Sequence, residues 1–231
     1  MSIVLITGAN KGLGREAARR LIADGHDVWL AARDKRRGNE AADLLGAWFV
    51  ELDVTSDESV DAAAAHVVAA SGHIDVLIHN AGITGDRVAV PDLTAQHILR
   101  VFETNLAGVV RVTHAFLPLL EQSANPVIVN VSSGMGSLQV TNDRSRFEST
   151  IISVPYTSSK AALNMLTTQY AKALPHIRIN AVDPGYTGTD LNANRGTQTV
   201  TEGTDAIVLM ATIGPDGPTG TFVSRNGVVP W

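Results

Sequence analysis

The chain contains no cysteine, which excludes disulfides, thiolate catalysis and thiolate metal ligands and fits a reducing, cytoplasmic setting. No apolar run approaches the ~20 residues that span a bilayer, so no membrane partner is expected. Met1-Ser2 leads straight into strand-like residues, with neither the charged start nor the cleavage site of a secretory leader. Seven histidines are present, but none is paired at metal-ligand spacing, so no metal site is expected. An excess of positive charge is missing as well. The formal charge of −5 argues against a general nucleic-acid surface. No G-x-S-x-G elbow surrounds Ser133, which removes the hydrolase reading of that serine. There is no repeat, low-complexity tract or linker. The 231 residues, 45% hydrophobic and 18% charged, therefore read as one globular domain over residues 1–231.

What is present is a regular alternation. Ile3-Val-Leu-Ile6 reads as a buried parallel strand and ends at Thr7-Gly8. Gly8, Gly12 and Gly14 follow, and then Leu13, Ala17, Ala18, Leu21 and Ile22 at helical spacing. Strand, glycine turn and helix in that order let a backbone approach a pyrophosphate closely and aim free N–H groups at it. Further strands are expected at Asp27–Ala32, Trp48–Leu52, Ile74–Ile78, Val127–Val131, Ile177–Val182 and about Gly220–Ser224. Helical patterns run through Ala41 to Leu45, after Thr55 or Ser56, and from about Ala95 to Leu119. The expectation is an α/β domain of the doubly wound Rossmann type, with a parallel seven-stranded sheet and helices on both faces. Ligands in such sheets bind outside the carboxyl ends of the strands. Thr7–Gly14, Arg33, Asp53, Asn80, Asn105, Ser133, Tyr156, Lys160 and Pro184–Thr189 fall at those ends or on adjoining helices.

One stretch is chemically pointed. Tyr156-Thr-Ser-Ser-Lys160 follows Pro155, which suits a helix start, and places a phenol and an ammonium one helical turn apart. A cation in that position favours the phenolate, so the pair reads as a general acid/base near neutrality. A second concentration lies earlier. Eight of the eighteen Lys and Arg residues fall within Lys11 to Arg37, four of them at Arg33, Lys35, Arg36 and Arg37, which is a small anion site or a solvated helix start.

Together, T-G-A-N-K-G-L-G at Thr7–Gly14, Asp53-Val54, Asn80-Ala81-Gly82, Asn105, Ser133, Tyr156-x-x-x-Lys160 and P-G-Y-T-G-T at Pro184–Thr189 resemble the short-chain dehydrogenase/reductase family. Ala32-Arg-Asp-x-x-Arg-Gly38, Asn130-Val-Ser-Ser133 and the tail from Phe222 to Trp231 resemble its carbonyl reductase branch. The resemblance implies an oxidoreductase acting between CH–OH and carbonyl groups of a small molecule, with a nicotinamide cofactor. Tyr156 would exchange the proton with the substrate oxygen and Ser133, rather than Ser132, would hydrogen-bond that oxygen. Lys160 would hold the nicotinamide ribose and lower the Tyr156 pKa, and Asn105 would hold a water linking Lys160 to solvent. Gly8, Asn10, Lys11, Gly12, Leu13 and Gly14 would form the phosphate turn. Asp53 and Val54 would meet the adenine; Asn80, Ala81 and Gly82 would support the central sheet and the cofactor. Pro184, Gly185, Thr187 and Thr189 would close over the nicotinamide end.

The cofactor expected is NADP(H). A site for NAD(H) places a carboxylate at the end of the second strand, whereas here Ala31-Ala32 is followed by Arg33, with Lys11 and Arg37 nearby. Asp34 opposes this, since one residue of register would bring it to the critical position. Two features depart from the family pattern. His79 stands before Asn80 where the family has a second asparagine, and is read as a structural histidine. An added segment, about Gln139 to Val154, separates Ser133 from Tyr156, as a surface loop or a wall of the substrate pocket. Because it enters the helix through which family members associate, a monomer or homodimer is expected over a tetramer. An epimerase or dehydratase, and a cofactor-binding sensor without turnover, remain as the alternatives.

Overall fold

Alternation in the first strand decides which face each helix covers. The computed structural model describes residues 1–231, and β1 (Ile3–Thr7) sends Val4 and Ile6 to one apolar layer and Leu5 to the other. The chain continues as α1 (Gly12–Ala23), β2 (Asp27–Ala32), α2 (Lys35–Leu45), β3 (Trp48–Glu51), α3 (Asp57–Ser71) and β4 (Val76–His79). Next come α4 (Ala95–Phe102), α5 (Gly108–Leu120), β5 (Val127–Val131), the short α6 (Leu138–Asn142) and the twenty-residue α7 (Val154–Ala173). The chain ends with β6 (Arg178–Asp183), α8 (Val200–Gly203), α9 (Asp205–Ala211), β7 (Phe222–Ser224) and β8 (Gly227–Val228).

The sheet order is β3-β2-β1-β4-β5-β6-β7-β8, and the first seven strands are parallel. The order reverses between β1 and β4, so a crevice opens there at the carboxyl ends. Ala17, Ala18 and Leu21 of α1, Ala41 of α2 and Ile207 of α9 pack on the Val4–Ile6 side. Val60 and Val67 of α3, Phe116 and Leu120 of α5 and Ala171 of α7 cover the Leu5 side. Both faces are dry, as parallel strands require.

Three differences from the sequence reading have physical causes. The sheet has eight strands rather than seven: Val228 pairs with Val223, and Gly227 with Ser224, antiparallel across Arg225-Asn226. Two residues are too few to show a period. The strand expected at Ile74–Ile78 starts later, because Ile74 donates its N–H to the Leu119 carbonyl instead of a strand neighbour. The long helix expected from Ala95 to Leu119 is interrupted by a π-helical turn at Glu103–Ala107, which contains Asn105. Such turns are rare and concentrate at functional sites.

Candidate active site

The glycine turn is shaped by contacts that only glycine permits. Gly8 and Gly12 have φ of 64° and 57°, in the left-handed region. A Cβ on Gly14 would lie 2.5 Å from the Asn80 side-chain amide. That amide donates to the carbonyls of Thr7 (2.9 Å) and Gly8 (3.1 Å). The Thr7 hydroxyl accepts from the backbone N–H groups of Asn80 and Ala81, both at 3.1 Å. The end of β4 thus braces the turn after β1. Ala9 N–H donates to the Ala31 carbonyl and ties the turn to β2 as well. At the start of α1, Lys11 supplies no side-chain cap, which leaves first-turn N–H groups available to an anion. Asn10 and Leu13 lie in this turn, half-buried.

At the end of β2 the register question has a definite answer. Ala31 and Ala32 are buried and Arg33 is the first exposed residue, with no hydrogen bond or ion pair to its guanidinium. Asp34 points elsewhere: its carboxylate accepts the Arg37 backbone N–H at 3.0 Å as the cap of α2, and its other oxygen lies 3.5 Å from the Arg37 guanidinium. Lys11 is paired with Asp190 at 2.9 Å. Asp53, after β3, accepts the Thr55 N–H and hydroxyl at 2.9 and 2.7 Å. Burial works against its charge, but those bonds and the nearby Arg33 and Arg111 hold its carboxyl below the ordinary range. Val54 is buried against Gly108 of α5, where a Cβ would lie 2.9 Å from its side chain.

The Tyr156–Lys160 pair stands on α7 as the spacing predicts. Lys160 is 5% exposed, and its ammonium donates to the Val131 carbonyl at 2.7 Å, at the end of β5. No carboxylate pairs with it. Its charge centre lies 5.7 Å from the Tyr156 ring centroid. A Cβ placed on Gly82 would sit 3.7 Å from that ammonium and 3.4 Å from the Asn105 side-chain oxygen. Asn105, 1% exposed, clamps the chain after β4: its oxygen accepts the Ile83 N–H, and its amide donates to the Ile83 carbonyl and the Ser159 hydroxyl, all at 2.9 Å. The neighbouring serines divide their work. Ser132 is buried and donates to Asn164 at 2.6 Å, while Ser133 is half-buried and acts on the Tyr156 phenol.

The electrostatics differ from expectation. Burial pushes the Tyr156 phenol up to about 12; the Ser133 hydroxyl pulls the other way, and the Asp183 carboxylate adds to the rise. Burial also pushes Lys160 down to about 8. The lowering of the Tyr156 pKa that the Tyr–Lys spacing suggests is therefore absent from the protein alone: although Tyr156 is half-buried by surface area, desolvation of its phenol is the largest influence on it, as it is on Lys160.

The short chain dehydrogenase profile matches residues 2–199. The chain is 31% identical to (+)-neomenthol dehydrogenase of Capsicum annuum, covering 97% of this chain and 96% of the relative. That alignment spans 300 positions against 231 residues here, so the relative carries inserted segments that this chain lacks. Identity to short-chain dehydrogenase anuI of Penicillium roqueforti is 37% over 92% of this chain and 89% of the relative. The solved structure of salutaridine reductase from Papaver somniferum superposes with a TM-score of 0.84 at 28% identity, over 97% of this chain and 100% of that one. The chain belongs to the short-chain dehydrogenase family.

The geometry fits the nicotinamide dinucleotide that this family of oxidoreductases employs. The turn at Gly8–Gly14 has glycine at three positions and opens a helix whose first N–H groups no side chain of Lys11 caps, and the Lys160 ammonium uses one of its three donors, leaving two for a ligand. The loop after β6 completes the crevice: Thr189 lies over Gly12, its methyl 3.7 Å from where a Cβ would stand. Within the same loop Thr187 is buried, and its hydroxyl donates to the Pro184 carbonyl at 2.9 Å. Gly185 adopts φ 69° and donates its N–H to Asp183 at 3.0 Å.

The added segment is structured rather than a bare loop. Val140 of α6 packs with Ala181, Phe222 and Val229, and a short turn at Phe147–Thr150 arches back over the site. There the Phe147 ring meets the Tyr186 ring with centroids 5.4 Å apart, and a Glu148 oxygen comes within 3.2 Å of a Cβ position on Gly134. Asp183 and Ser159 escaped the sequence reading. The first sits directly before Pro184-Gly185, a signal that was present; the second contacts Asn105 across 54 residues, which no local pattern reveals.

His79 is structural, as its place at a strand end suggests. It is buried, its Nε2 lies 2.9 Å from the Thr113 hydroxyl, and burial pushes its pKa down to about 3. The unfolded chain takes up a proton near the ordinary value of 6.5 and the folded chain does not, so this group's contribution to stability is full above that value and is lost as pH falls from 6.5 toward 3. Urea unfolding midpoints should therefore fall on acidification below 6.5. In His79→Asn, less stable at neutral pH, that dependence should be weaker by one proton.

Proposed function

We propose that the protein is an NADP(H)-dependent carbonyl reductase, interconverting a ketone or aldehyde and its alcohol. The observation that carries this reading is the convergence of Ser133, Tyr156, Lys160 and Asn105 at one mouth of the sheet, beside a glycine turn fit for a dinucleotide. When bound, the nicotinamide supplies or accepts the hydride. Ser133 then orients the substrate oxygen, and Tyr156, protonated across the neutral range, donates its proton to that oxygen as charge develops there. Lys160 binds ribose with its two free donors, and Asn105 fixes the segment Ala81–Ile83 against which the ring would lie. The arching turn with Phe147 and Glu148 forms the substrate wall and narrows access of water.

Preference for the 2′-phosphorylated cofactor is supported at β2. Arg33 is exposed and unpaired, no carboxylate stands in its place, and Asp34 is occupied in capping α2. An unpaired guanidinium binds a phosphate bidentately, whereas an alanine at the strand end is indifferent to it. The names of the relatives, a neomenthol dehydrogenase and a salutaridine reductase, support the oxidoreductase class.

Following nicotinamide absorbance with NADPH and a panel of aldehydes, ketones and quinones should reveal turnover. Tyr156→Phe keeps the ring and removes the proton donor, so it should retain cofactor binding and lose ~10²–10⁴-fold in kcat. Near-wild-type kcat on every accepted substrate would overturn the assignment. Arg33→Ala removes a charge-assisted contact worth ~1.5–3 kcal/mol, so the NADPH KM should rise at least ~tenfold with little change for NADH.

A further inference from the structure

The cations gathered for a phosphate are not equally free. Arg33 carries no partner, Arg37 lies 3.5 Å from Asp34, and the Lys11 ammonium is held at 2.9 Å by Asp190, 179 residues further along the chain. Asp190 is not a wandering side chain on a loose loop. It opens a short turn at Asp190–Asn192 in which Asn192 accepts the Thr189 N–H (3.3 Å) and donates to the Thr187 carbonyl (2.8 Å). The Asn194 N–H closes the turn on the Thr189 carbonyl at 2.8 Å. Thr189 rests over Gly12, so the turn starts beside the glycine loop. The backbone thus delivers a carboxylate to Lys11 from the loop after β6. The Lys11 hydrogen bond and charge, with Arg37 adding from further off, hold that carboxyl below the ordinary range, so it is an anion at neutral pH. Both side chains are more than half exposed, 55% and 63%, and a pair so wetted is held weakly enough to exchange.

Resting on the NADP(H) reading, we propose that Asp190 is a cofactor-specificity residue: its carboxylate occupies Lys11 in place of the 2′-phosphate, so that the phosphorylated cofactor binds by displacing one anion with another. Two consequences follow from charge alone. The phosphate must break the Lys11–Asp190 pair, and afterwards the released carboxylate remains close to it as a like charge. Both weaken NADPH relative to what Lys11, Arg33 and Arg37 would otherwise give. A ligand without the phosphate meets neither. Asp190 therefore acts as a built-in competitor that tempers affinity for one cofactor and leaves the other untouched, which favours release of a product cofactor after turnover.

The test is a binding titration on the intact protein, following quenching of protein fluorescence by NADPH and by NADH. Asp190→Asn keeps the size and backbone of the turn and removes the charge. It should lower the NADPH Kd by about three- to tenfold and change the NADH Kd less than about twofold. In the Lys11→Met background, where the pair is already absent, the same substitution should give a smaller gain. Equal shifts for both cofactors would mean that Asp190 only shapes the turn, and would overturn the proposal. No change, or weaker NADPH binding as expected if Asp190 positions Lys11 for the phosphate, would overturn it too. The wild-type protein separates the two failures. If it binds NADH as tightly as NADPH, the cofactor reading itself falls and the proposal with it; if it prefers NADPH while Asp190→Asn is silent, only the proposal falls.

Discussion

An ammonium buried with one hydrogen bond and no counter-ion is the constraint on which the site depends. Lys160 gives a single bond to the Val131 carbonyl, and burial draws its pKa from 10.5 to about 8. A depression of that size corresponds to about 3 kcal/mol against the charged form. Such a group persists only if its surroundings hold it in place, and they do so closely. A Cβ on Gly136 would lie 2.7 Å from the Lys160 carbonyl carbon, so the turn after β5 is pressed against α7. A Cβ on Gly82 would stand 3.7 Å from the ammonium, and Asn105 locks the segment that bears it. The switch point of the sheet, the π-helical turn and the start of α7 are therefore mutually fixed around one lysine. Its two unused donors are what the proposed contact with a ribose diol needs.

The same constraint explains why the protein alone is not poised as the Tyr–Lys spacing suggests. Proximity of a cation lowers a phenol pKa only while the cation is charged. Here desolvation raises the half-buried Tyr156 phenol and lowers the buried Lys160 ammonium, and the charge of Asp183 adds to the rise at the phenol. On the proposed carbonyl reductase function, Tyr156 is kept as the acid, which suits reduction, and a phenolate for the reverse direction has to be stabilised by what binds in the crevice.

Much of this was legible in the residues. Ala31-Ala32 as a buried strand end, and hence Arg33 as the first exposed side chain, follows from the apolar run in β2. The glycine turn, the strands around it and the Tyr156–Lys160 pair follow from order and spacing, because parallel α/β units repeat with local signals; Ser133 and Asn105 were singled out by the family resemblance. What was hidden is of two kinds. Elements too short to carry a period escaped: β8 with two residues, α6 with five, and the single π-helical turn. Partnerships between distant segments also escaped, such as Lys11 with Asp190, Asn105 with Ser159 and Phe147 with Tyr186. Desolvation belongs to the second kind, since the spacing of Tyr156 and Lys160 says nothing about how deeply either is covered.

The central claim is that the phenol of Tyr156 is held protonated by burial and becomes a usable base only with the crevice filled. The most direct measurement is the titration of its ring carbon by NMR in tyrosine-labelled protein. The chain has three tyrosines, and the Tyr156→Phe protein identifies the signal. In the free protein the Tyr156 resonance should not titrate at or below the ordinary value of 10, and with saturating NADP+ its midpoint should move down by about one pH unit or more. A midpoint below 10 in the free protein, or one that NADP+ leaves in place, would contradict the account.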